Sequence, residues 1–403
     1  MSTGSQQLTH GVGRQRPGSA WSLLAVAIVA IAVVAGVVVV GDRAGKAANP
    51  ARPDLQRVLD GLVTGPGRIA PGATAYVSGP RGMWLGAAGV GDLRSGAPMP
   101  TDGRMRLESV SKIYTAALVL RLAQEGRLSL EDTVEQWLPG MLPYGDSITV
   151  RHLVTMRSGL IDTNDIAARP AFYLARVRDA GLRNRLTALS RRAEAHPAMT
   201  VSPVWWIRWA AWEPLLFEPG TSFHYSNIGY EVLGLIAARA AHASLGELYR
   251  TRIFVPLRLE RTAYDPQGPI AGPHARGYTM TAGKGPVDAT DRHVAIGAGG
   301  GIVSDAEETA AFLRALMKGR LLAPRNVAAM RGPNLWLGGE RTGCGGAAYG
   351  WSGGGNGFKT NVWVNRDGSR VAVLLLNGRT AGKEQSSGDG DAAGALARLY
   401  CAG

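Results

Sequence analysis

Twenty consecutive residues, Trp21 to Val40, carry no charge and are dominated by Ala, Val, Ile and Leu. At about 1.5 Å of rise per residue, a helix of that length matches the hydrocarbon thickness of a bilayer. Such a run divides the chain before any other feature is considered. It predicts an N-terminal tail over 1–20, a transmembrane anchor over 21–40, a polar linker over 41–51 and a folded body over 52–403. Arg14 and Arg16 precede the run, and no acidic residue lies N-terminal to it. The positive-inside bias then puts the tail in the cytoplasm and the body outside. A cleaved signal peptide is the rival, but its apolar core is shorter and a small-residue cleavage site follows closely. Here the run is long and Ala44 to Ala48 offers only a weak site. A single-pass anchor in the cell membrane is the expectation, with secretion after cleavage as the alternative; both make the body extracytoplasmic.

The body itself is ordinary globular material. The whole chain has 403 residues, 45% hydrophobic and 19% charged, which is enough for a large core. Its 55 glycines follow no period, so collagen and repeat architectures fail. The net charge is +13, a balance compatible with anionic surfaces. No zinc-finger spacing or basic zipper is present, so no nucleic-acid partner is expected. The two cysteines, Cys344 and Cys401, form no Cys-x-x-Cys, which excludes a thioredoxin-like or structural zinc site. In an exported body a Cys344–Cys401 disulfide would pin the C-terminal segment to a loop far back in sequence; two unrelated thiols are the alternative.

Pro53 to Leu62 carries apolar residues at helical spacing. Ala73 to Ser78 and Met83 to Val90 read as strands around the turn Gly79-Pro80-Arg81-Gly82. A strong helix runs from about Ser109 through Gln124 and stops at Gly126. The stretch through Ala241 is mainly helical. Lys359 to Val364 and Arg370 to Leu376 form a hairpin around Asn365-Arg366-Asp367-Gly368, and a last helix covers about Asp391 to Tyr400. Strands and helices that cluster rather than alternate argue α+β. The expectation is an antiparallel sheet flanked by the N- and C-terminal helices, with a mainly helical insertion over roughly 109–295.

Ser109 is the only Ser followed three residues later by Lys, in Ser109-Val110-Ser111-Lys112. At a helix start, i and i+3 share a face, so Lys112 would sit beside the Ser109 hydroxyl and relay its proton. The helix N-terminus offers backbone N–H groups to a developing oxyanion. The second element is Tyr225-Ser226-Asn227. A Tyr beside a cationic Lys can act as general base, and Asn227 can donate to a substrate carbonyl and hydrogen-bond the Lys. The third is Gly350-Trp351-Ser352-Gly353-Gly354-Gly355, just before the hairpin. Its glycines would let a substrate backbone approach, and its N–H groups could complete an oxyanion hole.

In this order and spacing the three elements resemble the serine β-lactamase and penicillin-binding-protein superfamily, above all its class C β-lactamase and D,D-carboxypeptidase branch with its esterase relatives. The resemblance runs from about Gly72 to the C-terminus. It takes in Ile148-Thr149-Val150-Arg151-His152-Leu153, Ser158-Gly159-Leu160, Gly229-Tyr230-Glu231-Val232-Leu233-Gly234 and Ala298-Gly299-Gly300-Gly301-Ile302-Val303-Ser304. It implies Ser109 as the acylated nucleophile, Lys112 as the group assisting its deprotonation and Tyr225 as general acid and base. It implies Asn227, Trp351, Ser352, Gly353 and Gly354 as substrate-binding residues, and the N–H groups of Ser109 and Gly354 as the oxyanion hole. Neither a metal nor a cofactor is implied. The substrate would be a D,D-peptide, β-lactam or related amide or ester, with peptidoglycan-derived peptides among the candidates.

One departure bears on substrate. The family's third motif usually opens with Lys or His, which helps hold a substrate carboxylate, whereas this chain has Trp351. That moves weight toward esters or less acidic substrates, and keeps a carboxylesterase and a catalytically inactive wall-peptide or β-lactam binder as alternatives. Met156, where relatives often carry His, reads as packing. Trp205, Trp206, Trp209 and Trp212 would line a cleft, touch lipid headgroups or sit in the core. Gly350-Trp351-Ser352-Gly353-Gly354 also spells Gly-x-Ser-x-Gly, but no His follows it, so an α/β-hydrolase order of partners is impossible.

Overall fold

The computed structural model describes residues 51–403 except 66, 169, 196–201, 267–268, 282–283, 292–296, 332–337, 356 and 381–384. The anchor predicted over 21–40, its tail, almost all of the linker and Asn356 lie outside the described residues. Among the described residues no helix is long and apolar enough to cross a membrane.

Helix α1 (Pro53–Val63) starts on a proline, whose missing N–H costs nothing in a first turn, and buries Leu55, Leu59 and Leu62 along one face. Strands β1 (Gly72–Gly79) and β2 (Gly82–Asp92) follow as a hairpin whose closing pair is Gly79 and Gly82. Gly82 stands at φ +94°, a conformation open to glycine alone at little cost. A short strand β3 (Ala97–Pro98) pairs with the end of β2. The last strands are β4 (Gly338–Arg341), β5 (Ala347–Gly355), β6 (Phe358–Val364) and β7 (Val371–Leu376). In the described residues these seven form one antiparallel sheet in the order β3-β2-β1-β7-β6-β5-β4. The first and last strand groups join into the antiparallel sheet expected from the sequence, and the structure places the junction at β1 and β7, with Thr74 opposite Leu375.

Strand alternation divides the core into two layers. Tyr76, Val362, Val371, Val373 and Leu375 face the helical region. Ala73, Ala75, Val77, Ala372, Leu374 and Leu376 face α1 and the C-terminal helix. The helical region contains α2 (Ser111–Gln124), α3 (Asn227–Ala240) and α4 (Ala306–Met317). The closing helix α5 (Gln385–Ala402) begins six residues before the predicted Asp391. The fold is α+β, with the helical part inserted between β3 and β4.

Two small three-stranded sheets escaped the sequence reading. One joins Met105–Arg106, Ala263–Tyr264 and Ile302–Ser304; the other joins Tyr278–Thr281, Lys284–Asp288 and Gly378–Thr380. Their strands are two to five residues long, too short for a period-2 pattern to register. Cys344 and Cys401 are joined in a disulfide, which ties the β4–β5 turn to the end of α5. Of the tryptophan group, Trp209 is buried, Trp205 and Trp206 pack against the core, and Trp212 is exposed. The core reading therefore holds for three of the four. Met156 is buried at φ +54°.

Candidate active site

The strand Met105–Arg106 leads into a 3-10 turn, Glu108–Val110, and α2 starts at once behind it. Sequence reading begins the helix at Ser109; the tighter turn there instead sets Ser109 just ahead of α2. Its side chain is half-buried, while Lys112, one turn on, is fully buried. The Lys112 ammonium donates to Ser109 Oγ at 3.2 Å and to the carbonyl of Gly299 at 2.7 Å. Gly299 belongs to a short helical turn, Gly297–Gly300, and a β-carbon there would fall 3.0 Å from Lys112 Nζ. A side chain there would crowd the ammonium, so the glycine leaves the lysine room at that carbonyl.

The second element is fixed by a helix start. Ser226 caps α3 by accepting the Gly229 N–H at 3.0 Å, and its own hydroxyl donates to the Ile161 carbonyl at 2.9 Å. The residues on either side of the cap are thereby aimed. Tyr225 places its hydroxyl 2.7 Å from Ser109 Oγ and donates to Asn227 Oδ1 at 3.2 Å. The Lys112 ammonium lies 5.1 Å from the centre of the Tyr225 ring. The Asn227 amide nitrogen donates to Thr163 Oγ1 at 3.1 Å, so this amide bridges Tyr225 and Thr163, where the sequence reading gave it to Lys112. The Asn227 backbone N–H donates to Asp162 Oδ1 at 2.6 Å.

Strand β5 closes the third side. Trp351 stacks on Tyr225 with ring centres 6.5 Å apart and planes 13° from parallel. Gly353 lies so close to the serine turn that a β-carbon would fall 2.4 Å from Leu107 O and 2.8 Å from Ser109 N. Gly354 comes next along the same strand. Ser352 corrects one expectation. Strand alternation turns it to the opposite face from Trp351 and Gly353. Its exposed hydroxyl accepts from Lys359 at 2.9 Å, and Lys359 in turn pairs with Asp389 of α5 at 2.7 Å. The structure thus gathers Ser109, Lys112, Tyr225, Asn227, Trp351 and Gly353 around one point and leaves Ser352 behind the sheet. Gly353→Ala forces the strand and the serine turn apart, and we expect kcat/KM to fall about tenfold or more, read on any turned-over substrate.

Sequence reasoning missed the supporting residues. Asp162 and Thr163 hold Asn227 from more than sixty residues away, a distance no local pattern reports. Glu231 is buried behind Lys112 and accepts the Gly299 N–H at 3.1 Å, so one residue, Gly299, meets the acid through its N–H and the lysine through its carbonyl. In the sequence it lies inside Gly229-Tyr230-Glu231-Val232-Leu233-Gly234 with nothing to mark it. Burial pushes its carboxyl up from the usual 4.5 to about 7, against the pull of the Gly299 N–H and Lys112. The folded state therefore holds a proton there that the unfolded chain has released. Stability is fully present below pH 4.5 and falls as pH rises to about 7. Glu231→Gln never ionises, so its stability relative to wild type should climb by ~3 kcal/mol across that window, measured by urea unfolding at several pH values. Among the described residues no group of three or more His, Cys, Asp or Glu side chains gathers to hold a metal ion.

The sequence pattern of the Beta-lactamase family matches residues 55–396. Penicillin-binding protein 4* of Bacillus subtilis (strain 168) is 28% identical over 174 residues, 43% of this chain and 33% of that protein. Esterase EstB of Burkholderia gladioli is 31% identical over 180 residues, 43% of this chain and 42% of that one. The chain thus spans less than half the length of either relative. A solved D-stereospecific amidohydrolase from Streptomyces sp. superposes with a TM-score of 0.70 at 26% identity, covering 88% of this chain and 100% of that one. With the match spanning almost the whole described body, and serine, lysine and tyrosine converging as they do, the chain belongs to the Beta-lactamase family of serine hydrolases.

Proposed function

We propose that the protein hydrolyses a small amide or ester through an acyl-enzyme at Ser109, and that its substrate lacks a carboxylate beside the scissile bond. The observation that carries the chemistry is the 2.7 Å contact between Ser109 Oγ and the Tyr225 hydroxyl, with the Lys112 ammonium against both. In the reactive form of the site the Tyr225 oxygen carries no proton; Ser109 Oγ attacks the substrate carbonyl carbon, and its proton passes to that phenolate oxygen. Lys112 supplies positive charge beside the oxygen that takes the proton. The tetrahedral oxyanion accepts the N–H groups of Ser109 and Gly354. The C–N or C–O bond then breaks as Tyr225 returns the proton to the leaving group. Water repeats the sequence in reverse to free the acid.

Substrate choice is argued from Trp351. It lays an apolar ring against Tyr225 at the strand position where a cation would greet a carboxylate. The amidohydrolase and esterase names among the relatives support the same direction, as does the amidohydrolase's match over its full length. A panel of D- and L-amino acid amides, p-nitrophenyl esters, nitrocefin and a D-Ala-D-Ala peptide tests it. We expect the D-amide or ester to exceed the D-Ala-D-Ala peptide in kcat/KM by about tenfold or more. Fast nitrocefin or peptide turnover with slow amides and esters would overturn the substrate assignment.

We also assign the body to the outside of the cytoplasmic membrane, tethered through residues 21–40. The Arg14 and Arg16 flank supports this, and so does the Cys344–Cys401 disulfide, since disulfides persist in oxidising compartments.

A further inference from the structure

Glu108, the residue before Ser109, is placed at a double disadvantage. Its backbone stands at φ +51°, in the left-handed region that non-glycine residues avoid. Its side chain is only 5% exposed, and among the described residues Oε1 has no hydrogen-bond partner. A buried acid with an orphaned oxygen on a strained backbone destabilises a fold, and such residues persist where surrounding structure uses them. The carboxyl reaches across to the glycine-rich end of β5. A β-carbon at Gly355 would fall 2.5 Å from Glu108 Oε2, next to the strand position that holds Gly353 against Ser109.

We propose that Glu108 is a positioning residue, a wedge between the serine turn and Gly355 that sets the gap between Ser109 and β5 and so the spacing of the Ser109 and Gly354 N–H groups. This rests on the acyl-enzyme reading above. The charged groups that face the wedge are Arg106 from the strand Met105–Arg106, Lys112 from α2 and Arg379 from the strand Gly378–Thr380. Burial nevertheless dominates and pushes the carboxyl up to about 7. The neutral form fits the gap. On ionisation the carboxylate is drawn toward Arg379, whose Nε is itself buried and unpartnered among the described residues, and the strand end loosens. Acylation should therefore slow as the wedge loses its proton.

The test compares wild type, Glu108→Gly and Glu108→Gln by their rate of labelling with a fluorophosphonate and by kcat and KM on a p-nitrophenyl ester. Glycine relieves the backbone and removes the wedge; we expect kcat to fall about tenfold with KM within about threefold. Glutamine keeps the wedge without ionising and should recover the rate near pH 6. The ratio of Glu108→Gln to wild-type kcat should then rise about threefold or more from pH 6 to pH 8.5. If the glycine variant does not fold, that ratio decides alone. A wild-type rate in the glycine variant, glutamine as slow as glycine, or a flat ratio overturns the proposal. A wild type that takes no label overturns the acyl-enzyme reading as well, which separates the two failures.

Discussion

Ser109→Ala brings turnover down by at least about 10⁴-fold while leaving the protein as stable as wild type. The size follows from the site's geometry. Tyr225 and Lys112 both address Ser109 Oγ, at 2.7 and 3.2 Å, so its removal leaves the proton acceptor and the charge with nothing to act on. Residual rate would come only from N–H groups polarising a bound carbonyl for attack by water. Stability should hold because the side chain is half-buried and small, and its loss opens no sizeable cavity. The neighbouring Ser111 is the internal control. It is fully buried, and its hydroxyl accepts the Ile302 N–H at 3.0 Å. Ser111→Ala should weaken the fold by about 1 kcal/mol and leave the chemistry in place. Thermal melts and steady-state rates on both variants separate the two serines.

Lys112→Met is the second large effect, about 10³-fold or more in kcat. Methionine keeps the volume of this buried side chain, so the loss is electrostatic and not a cavity. The ammonium is held by Ser109 Oγ and the Gly299 carbonyl and lies against the Tyr225 ring. Without it, the Tyr225 oxygen would take the serine proton with no ammonium beside it. Two buried acids respond as well. Lys112 opposes the upward push of burial on both Glu108 and Glu231, so its removal should move their ionisation to higher pH. A lysine that only filled space would leave kcat near wild type and those ionisations unmoved.

How much of this was legible in the chain differs by element. The hairpin Gly79-Pro80-Arg81-Gly82 and the apolar run Val371–Leu376 announce themselves, because turn chemistry and a short continuous apolar run bounded by turn residues are local. Ser109, Lys112, Tyr225 and Asn227 were also readable, each from a short motif whose joint order raised its weight. The side on which β5 presents its residues was not. Trp351 and Gly353 face the serine and Ser352 does not, and one residue of register decides which. Glu108 and Glu231 were invisible for another reason. An acid reads as surface until the fold buries it, and only the approach of Gly355 and Gly299 reveals what these two touch. Asp162 serves Asn227 through a contact made only when the two segments fold together.

The central claim is that Ser109 becomes covalently acylated. The most direct measurement is peptide mapping by tandem mass spectrometry after treatment with a fluorophosphonate. Trypsin releases Leu107 to Lys112 as one peptide holding both Ser109 and Ser111. A single adduct is expected on that peptide, with fragment ions assigning it to Ser109 and no adduct in Ser109→Ala. An adduct on Ser352 or Ser111, one that survives Ser109→Ala, or none on folded wild type would contradict it.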